Sequence, residues 1–574
     1  MYWILLTYIL PILLFEATLF VPVQGSTQTF LNGPTPADDY HEDLAPNWRL
    51  DIPSHPNTTG RLVFETASSL LQHWPNTRYR NGHTIVPGII RPGTLLYHGT
   101  FNSEIPDTPD WTATDPEHSL VFCRGSIEAG CWHLTLAATR PLRVLYFDGN
   151  SGAKIEGEAG GTMDSQDIII WGEPRPDKAW NERERLDKLC AWGKQYELDG
   201  FVRQQMDFEV MICDFSAGLE VVSFANLASL RLAPPPFTEN STKDERLMLR
   251  AMEMLRASSW HHRYPGETRV QLDLSRLISF YDTSLFPSLI SQRAGQERWD
   301  HRLLGLSVDD RTTLMSRLDE VLTAREQDNS DIDWITLLRV IIERHADRLE
   351  LLQELLEEAK STLDLTKLQQ TAHTIQLELR VMVTAYALRI AVPPNASMLH
   401  EDWNSWAAPV FKECSIAHTA FMQSRLLTRL TPSERLLLGA VQETTREICR
   451  VVVGMWAEGV KTGFDIDLWI GARSEAPSIT VTRMILDEWS TAINGLMAWL
   501  DWNIWVKCKP PCNSLERCHI PTWPFGFPHR VSEELMHEPS VLDRLTYSFQ
   551  EANSTDWRRP QPKCIRRVHP YDGF

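Results

Sequence analysis

A proline-rich segment at residues 231–241 separates two parts of the chain that differ in hydrophobic period. Before it, short runs of β-branched and aromatic residues recur between turn residues, which is the pattern of strands. After it, apolar residues recur every three to four positions over long segments, which is the pattern of helices. We therefore predict an α+β domain followed by an all-α helical bundle domain, with the proline-rich segment as a linker.

Composition and turn signals set the limits of these parts. Residues 26–60 lack periodicity and predict an irregular lead-in, residues 61–230 the α+β domain, and residues 242–506 the helical domain. Residues 507–574, rich in Cys, Pro and Trp, predict a short Cys-rich tail. Strands are predicted at Leu95–His98, Trp132–Leu136, Leu142–Phe147, Ile168–Trp171, Gly200–Arg203, Phe208–Ile212 and Leu219–Phe224, with a charged helix at 180–196. Later helices are predicted at about 242–257, 309–326, 332–359, 365–390, 410–428, 433–461 and 479–506.

The N-terminus points to the secretory pathway. Residues 2–24 are almost all apolar, with one charge at Glu16, and a small residue follows at Gly25. This pattern predicts a signal peptide over residues 1–25 that is cleaved after Gly25. The alternative is an uncleaved membrane anchor, because the run approaches the ~20 residues that span a bilayer. Pro11 and Pro22 favour cleavage over a continuous membrane-spanning helix.

Four N-x-[ST] sequons agree with passage through that pathway. Each lies in a polar or proline-containing stretch, where an attached glycan is tolerated. The chain is therefore predicted to be a secreted or secretory-pathway glycoprotein, with glycans at Asn57, Asn240, Asn395 and Asn553.

The ten cysteines form an even set in what is predicted to be an oxidising compartment. In the tail, Cys508, Cys512, Cys518 and Cys564 lack the paired CxxC spacing of common zinc modules, so two disulfides are favoured over a metal site. The four residues allow three pairings, and the spacing does not choose among them. No metal site is predicted.

The other six cysteines lie in the two large domains. Cys123 and Cys131 flank a glycine-containing loop and predict a disulfide that closes a hairpin. The remaining four are either disulfide partners or buried thiols, because a lone cysteine behaves as a small apolar residue. The candidate pairs are Cys190 with Cys213 and Cys414 with Cys449.

The charge balance argues against nucleic acid as a partner. The chain has a formal net charge of -19 at pH 7 and a pI near 5.4. Binding along a phosphate backbone needs concentrated positive charge, so a broad nucleic-acid surface is not expected. Protein and glycan partners stay open, and no membrane contact is predicted beyond the possible N-terminal anchor.

Three stretches of the α+β part combine strand-forming residues with unusual polar groups: LLYHGT at 95–100, PDWTATDPEHSLVF at 109–122 and GFVRQQMDFEVMICDF at 200–215. They resemble the three motifs of ADP-ribosyltransferases of the diphtheria-toxin and poly-ADP-ribose polymerase type. In that family a His before a Gly holds the NAD ribose on one strand. An aromatic or Ser/Thr strand then leads into a helix, and a Glu on a late strand orients the ribose.

The resemblance implies an NAD site built from five residues. His98 would hold the ribose and Glu209 would stabilise the transition state, while Gly99, Trp111 and Thr112 would complete the cofactor site. The chemistry is coherent, because breaking a glycosidic C–N bond builds positive charge on the ribose and a nearby carboxylate stabilises that charge. An aromatic ring can stack on the nicotinamide.

The chain departs from that pattern in two places. The family's second-motif Tyr is absent, and Asp207 stands where transferases often carry Glu or Gln. The alternative is that Asp207 and Glu209 form one solvated face of a strand, because residues two apart share a face. The domain is thus expected to be either an NAD-using enzyme or a degenerate form of one.

The chain also resembles uncharacterised secretory-pathway proteins of filamentous fungi. The stretches LRVLYFDGNSGAKI, GTMDSQDIIIWGE and DGFVRQQMDFEVMICDF and the segment Cys508–Trp523 carry this resemblance. It covers most of the chain and implies a secreted or wall-associated product, without implying an activity.

Two further functions stay open. A carbohydrate-active enzyme, or a Ca²⁺ site, could use Asp148 with Asp164 or Asp167, although these residues also suit ordinary turns. A non-catalytic extracellular or cell-wall interaction protein would rely on the helical domain. The adjacent His261 and His262 are predicted to be a solvated pair in a loop.

Overall fold

A computed structural model describes residues 48–55, 58–122, 130–155, 160–227, 252–324, 329–394, 403–465, 477–522 and 558–568. The predicted signal peptide, the proline-rich linker, the four sequon asparagines and Cys123 lie outside the described residues. The fold is the predicted one: a sheet-rich α+β part, then a helical part, then a Cys-rich region with disulfides.

The α+β part is built on a ten-stranded sheet with the order β10-β1-β5-β6-β7-β3-β2-β4-β8, in which β9 also pairs with β1. The pair β5 and β6 is parallel and the other pairs are antiparallel. One register pair, Tyr97 with Ala113, joins β2 to β3 in the middle of the sheet. The strands are β1 Thr84–Ile90, β2 Leu95–Thr100, β3 Asp110–Ala113, β4 Cys131–Ala138, β5 Leu142–Phe147, β6 Gly200–Gln204, β7 Phe208–Ile212, β8 Leu219–Leu227, β9 Val270–Leu272 and β10 Ile278–Ser279.

The central strands of the sheet are buried on both faces, whereas the edge strand β8 is largely exposed. On one face, here called the bundle face, Val144, Val202 and Val210 belong to a core that continues into the long helices. On the opposite face, Phe201 and Met211 join a second core with residues of the helices after the sheet. Successive side chains alternate between these faces, so the register of each strand decides which core, or which polar site, a residue enters.

The described residues form twelve α-helices and a further helical stretch over 252–257, and the longest helices lie in the second part of the chain. The 31-residue helix α11 begins with a capping box, in which Thr431 and Glu434 each satisfy a backbone N–H of the other residue, and ends at the left-handed Gly463. No helix among the described residues is long and apolar enough to cross a membrane. The α-helices are α1 Gly60–Ser69, α2 His73–Arg78, α3 Pro116–Ser119, α4 Asp164–Trp171, α5 Glu182–Gly193, α6 Ser288–Arg293, α7 Val308–Thr323, α8 Trp334–Ser361, α9 Leu365–Val383, α10 Ala408–Ile416, α11 Pro432–Thr462 and α12 Ile479–Leu500, with a further turn over 252–257.

One predicted strand is wrong: Ile168–Trp171 is the second half of α4. Its apolar run is buried, and a short buried run does not distinguish a strand from a helix by periodicity. Asp164 and Asp167 occupy the first turn and Gly172 closes the helix in the left-handed conformation, which are helix signals that the sequence did contain. The predicted helix at 410–428 is also interrupted, since α10 ends at Ile416.

The sheet extends past the predicted linker. Strands β9 and β10, from the segment that was predicted to be wholly helical, both pair with β1. They are three and two residues long, too short to show a period in the sequence. The two parts therefore share a sheet edge as well as a core.

Four disulfides join described residues, and no cysteine among these residues is free. Cys131 is disulfide-bonded as well, and Cys123, its predicted partner, is outside the described residues. In the tail, the strands β11 Glu516–His519 and β12 Lys563–Arg566 pair in antiparallel fashion. The disulfides are Cys190–Cys213, Cys414–Cys449, Cys508–Cys518 and Cys512–Cys564, so the two open candidate pairs are confirmed and one of the three tail pairings is selected.

Candidate functional site

The strands β6, β7 and β3 place Arg203, Glu209 and Trp111 on the face opposite the bundle. Arg203 and Glu209 are direct cross-strand partners, and Trp111 is the partner of Met211, which belongs to the second core. Partners across an antiparallel pair point to the same side of the sheet. The structure therefore brings two of the predicted site residues, Trp111 and Glu209, to one face.

Glu209 is closed in by two cationic side chains. Its Oε2 lies 3.1 Å from Nε of Arg203 and its Oε1 lies 3.4 Å from Nε2 of His118, and the side chains of all three are at most 1% exposed. Burial disfavours the carboxylate, but the charges of Arg203 and His118 outweigh it and hold the pKa of Glu209 below its ordinary value. Burial likewise opposes protonation of His118, and Glu209 overcomes it and raises the pKa of the imidazole.

Arg203 also covers the ring of Trp111. The guanidinium carbon lies 3.4 Å from the ring centroid, and Nη2 lies 2.7 Å from Oε2 of Glu182 at the start of α5. This contact combines a cation–π interaction with a buried ion pair. We call Arg203, Glu209, His118, Glu182 and Trp111 the Glu209 cluster.

His98 lies on the other side of the sheet. Tyr97 pairs with Ala113 and Ala113 pairs with Glu209, so Tyr97 shares the face of Glu209 and its neighbour His98 points to the bundle face. There the His98 ring contacts Phe215 edge-on, and Nδ1 lies 2.6 Å from the carbonyl oxygen of Trp111.

The two remaining predicted cofactor residues are used by the sheet itself. Thr112 donates its hydroxyl to the carbonyl oxygen of Val210 at 2.9 Å. Gly99 is paired with His133 of β4. The structure thus brings the side chains of Trp111 and Glu209 to one face and puts that of His98 on the other, where it contacts Trp111 only at the backbone, so the five residues do not surround one cleft.

A second buried cluster lies where the loop after β3, the turn before β7 and the segment after the 252–257 turn meet. His261 is fully buried, with Nε2 at 2.9 Å from Oδ1 of Asp207 and Nδ1 at 3.3 Å from Oε2 of Glu267. Arg269 bridges Glu267 to Oδ1 of Asp115, at 2.6 Å and 3.0 Å. We call Asp115, Asp207, His261, Glu267 and Arg269 the His261 cluster.

The prediction of a solvated His261–His262 pair is therefore wrong, because both side chains are buried. Burial opposes protonation of His261, but Asp207 and Glu267 outweigh it and raise the pKa of the imidazole to about 10. Burial raises the pKa of Asp115 to about 6. The sequence signal for this cluster was weak, since more than fifty positions separate Asp207 from His261 along the chain.

Asp207 and Glu209 are both buried, so the alternative of a solvated carboxylate face is also wrong. Asp207 belongs to the turn before β7. Its Oδ1 lies 2.9 Å from Nε2 of His261 and accepts a hydrogen bond from the backbone N–H of Phe208 at 2.8 Å. Glu209 belongs to the strand and meets Arg203. The two residues therefore belong to adjacent but different polar clusters.

The three aspartates considered for carbohydrate chemistry each have their own partner. Asp148 accepts hydrogen bonds from the backbone nitrogens of His83 and Thr84, at 2.7 Å and 2.6 Å. Asp164 pairs with Arg302 at 2.9 Å, and Asp167 pairs with Arg185 at 2.9 Å. These contacts fix the ends of strands and helices and do not present two carboxylates across a groove.

Burial raises the pKa of Asp148 to about 7 despite its two backbone donors. Asp148 lines a cavity of about 20 Å³ together with His83, Tyr281 and Arg298. A polar cavity of this size holds about one water molecule. It is too small for a sugar ring or a nucleotide.

Comparison with known proteins shows that parts of the chain are similar to uncharacterised fungal proteins. A family described as the YPL277C N-terminal domain matches residues 128–247. The uncharacterized protein YOR389W of Saccharomyces cerevisiae is 26% identical over 426 residues, 60% of this chain and 65% of the relative. The uncharacterized protein YPL277C of the same yeast is 27% identical over 381 residues, 52% of this chain and 74% of the relative.

The match to YOR389W thus spans slightly less than two thirds of that relative's length. The family match includes β5 to β7 and therefore Arg203, Asp207 and Glu209, but not Trp111 or Asp115. The resemblance to an uncharacterised fungal family is supported, and none of these descriptions points to ADP-ribosyltransferases.

Proposed function

We propose that the protein is a secretory-pathway glycoprotein whose α+β domain is a non-catalytic binding module, supported by the helical domain. The observation that carries the proposal is the closure of the Glu209 cluster. The place where NAD chemistry would need an unpaired carboxylate and an uncovered aromatic ring is filled by Arg203.

The electrostatics of that cluster oppose a transferase mechanism. A carboxylate stabilises a developing oxocarbenium ion only with charge that is not already neutralised. Glu209 has a guanidinium at 3.1 Å and an imidazole at 3.4 Å, and it is 1% exposed. The added stabilisation available to a ribose cation in the transition state is therefore small.

The steric arrangement agrees with the electrostatics. The nicotinamide ring would have to displace the Arg203 guanidinium, which lies 3.4 Å from the Trp111 centroid and is anchored to Glu182 and Glu209. His98, the proposed ribose ligand, lies on the other face of the sheet. Both features favour binding at the outer surface over chemistry in a cleft.

The disulfides support the secretory compartment. The four disulfides between described residues are distributed over all three parts of the chain: one in the α+β part, one in the helical part and two in the tail. Cys131 of the α+β part is disulfide-bonded as well. Such bonds persist in oxidising compartments and are rare in a reducing cytosol.

NAD binding and hydrolysis test the proposal directly. We expect NAD at millimolar concentration to leave the thermal transition of the full chain unchanged, and nicotinamide release to equal that of a heat-denatured sample. The matched variants are Glu209→Gln and Glu117→Gln, since Glu117 lies on the neighbouring helix α3 outside the Glu209 cluster. NAD hydrolysis by the wild type that is lost in Glu209→Gln and kept in Glu117→Gln would refute the non-catalytic assignment.

The compartment is tested separately. We expect the chain, expressed with its own N-terminus in yeast, to enter the medium or cell wall with a mass that falls on endoglycosidase treatment. Retention in the cytosol, with no change in mass, would refute the secretory part of the proposal and leave the NAD result standing.

A further inference from the structure

The His261 cluster contains the parts of a metal site. One oxygen of Asp115, one oxygen of Asp207 and one ring nitrogen of His261 lie within 4.8 Å of one another. Nε2 of His261 and Oδ1 of Asp207 are 2.9 Å apart. Ligand atoms about 2.0–2.1 Å from a tetrahedral Zn²⁺ ion are roughly 3.3–3.4 Å apart, so these two atoms, now in direct contact, would separate by only about 0.4 Å to hold one ion between them.

Two carboxylate oxygens of the His261 cluster are free to bind a metal ion. Oδ2 of Asp207 and Oδ2 of Asp115 are buried, and neither accepts a hydrogen bond from any residue that the structure describes. Asp207 is 0% exposed. A buried carboxylate oxygen without a donor is unfavourable, and a cation beside it removes that penalty.

The surroundings of His261 match those of a metal-ligating histidine. Its second nitrogen, Nδ1, faces Oε2 of Glu267 at 3.3 Å. Histidines that bind a metal through one nitrogen usually donate the other N–H to a carboxylate, which orients the ring. Glu267 is held in turn by Arg269 at 2.6 Å, so the orienting carboxylate is itself fixed.

The formal charges leave room for a divalent ion. Once His261 has given up a proton to bind the ion, the three carboxylates of Asp115, Asp207 and Glu267 outnumber the single guanidinium of Arg269 by two negative charges. One divalent cation would cancel that surplus. Two carboxylates and one imidazole are ligands that Zn²⁺ and Mn²⁺ accept.

We propose that Asp115, Asp207 and His261 bind one divalent cation of the Zn²⁺ or Mn²⁺ class, with Glu267 as the residue that orients His261. Binding through Nε2 releases the proton that this nitrogen otherwise carries, and Nδ1 keeps its own proton for Glu267. The ion would tie together three segments that are far apart in the chain. The inference is independent of the non-catalytic assignment, because it concerns a different cluster.

The test uses the full chain, stripped with EDTA, dialysed, and then titrated with ZnCl₂ or MnCl₂ in a calorimeter. We expect one equivalent of metal per chain, retained through gel filtration and measured by mass spectrometry of the metal, together with a rise in the thermal transition. His261→Gln and Asp115→Asn should remove that equivalent. Glu267→Gln should weaken the affinity about 10–100-fold, as loss of an orienting carboxylate does.

Asp164→Asn is the matched control, since Asp164 is also a buried carboxylate beside an arginine but lies outside the cluster. It should bind metal like the wild type. If His261→Gln does not fold, Asp115→Asn decides, because Asp115 is at the partly exposed end of the cluster. The proposal is overturned if the wild type takes up neither ion, or if the bound equivalent survives in Asp115→Asn.

Discussion

Replacing Arg203 by methionine is expected to destabilise the sheet strongly, although the change preserves most of the side-chain volume. Arg203 is 1% exposed and neutralises Glu209 at 3.1 Å and Glu182 at 2.7 Å. Methionine fills the space over Trp111 and can contact its ring through sulfur, so the loss of packing is small. What remains is a buried Glu209 that has lost its guanidinium partner and keeps only the His118 imidazole, at 3.4 Å, in contact with its carboxylate.

The magnitude follows from the loss of that guanidinium partner. Removing one partner of a buried ion pair typically lowers the free energy of unfolding by about 3–5 kcal/mol. For a unit of roughly 150–250 residues, each 1 kcal/mol corresponds to a shift in Tm of about 2–4 °C. We therefore expect Arg203→Met to lower the Tm of the sheet-containing transition by roughly 6–20 °C.

Calorimetry combined with urea unfolding, followed by circular dichroism, measures the effect. The double variant Arg203→Met/Glu209→Gln should be more stable than the sum of the two single effects predicts, by about 0.5–3 kcal/mol, because it no longer buries the unpaired charge. Arg175→Met is the control, since Arg175 pairs with Asp177 at the surface and its loss should leave Tm unchanged. A loss of less than about 3 °C for Arg203→Met, or strict additivity in the double variant, would show that the buried-charge argument is wrong.

Three further outcomes are expected. The double substitution Cys190→Ala/Cys213→Ala removes a disulfide that closes a loop with a sequence separation of 23. It should lower the free energy of unfolding, measured by urea titration, by about 3 kcal/mol, and an unchanged midpoint would contradict this. Burial raises the pKa of Asp148 to about 7, so the folded protein holds a proton that the unfolded chain releases near pH 4. The free energy of unfolding therefore falls as pH rises between these values, by about 3 kcal/mol from pH 5 to pH 8. Asp148→Asn should abolish that part of the pH dependence in parallel urea titrations, and an identical slope would contradict it. Thr431→Ala removes the N-cap of α11 and should cost about 1 kcal/mol by the same assay. Thr428→Ala should have no effect, because Thr428 is exposed and lies two residues after the π-helical turn Met422–Leu426, outside the cap.

The local patterns of the sequence predicted many of the elements, although β1, Thr84–Ile90, was not among the predicted strands. Strands β5 and β7 begin and end where the apolar runs do, because each run is bounded by turn residues. The start of α11 was predicted at Ser433 and lies at Pro432, since Thr431, Pro432 and Glu434 form a local cap that needs no distant partner. The failure at Ile168–Trp171 has the complementary cause: a buried apolar run looks alike in a strand and in a helix.

The candidate site was predicted only in part. Trp111 and Glu209 do share a face, as the resemblance implied, but the single register pair between β2 and β3 puts His98 on the other one. Shifting a strand by one residue exchanges its two faces, and no signal within a short motif reports the register with the neighbouring strand. The role of Arg203 went unnoticed for the same reason, because its partners come from α5 and β7.

The sequence by itself determined what depends on neighbours along the chain: the succession of sheet-forming and helix-forming segments, the caps, and an even number of cysteines. Only the tertiary structure decided which cysteines bond, that His261 is enclosed by Asp207 and Glu267, and that Arg203 fills the space beside Glu209. Periodicity and capping are properties of a few consecutive residues, whereas these contacts join residues brought together by strand register and helix packing. The ion pairs among them form only with the core, because in the buried interior each charge needs its partner to offset the cost of leaving water.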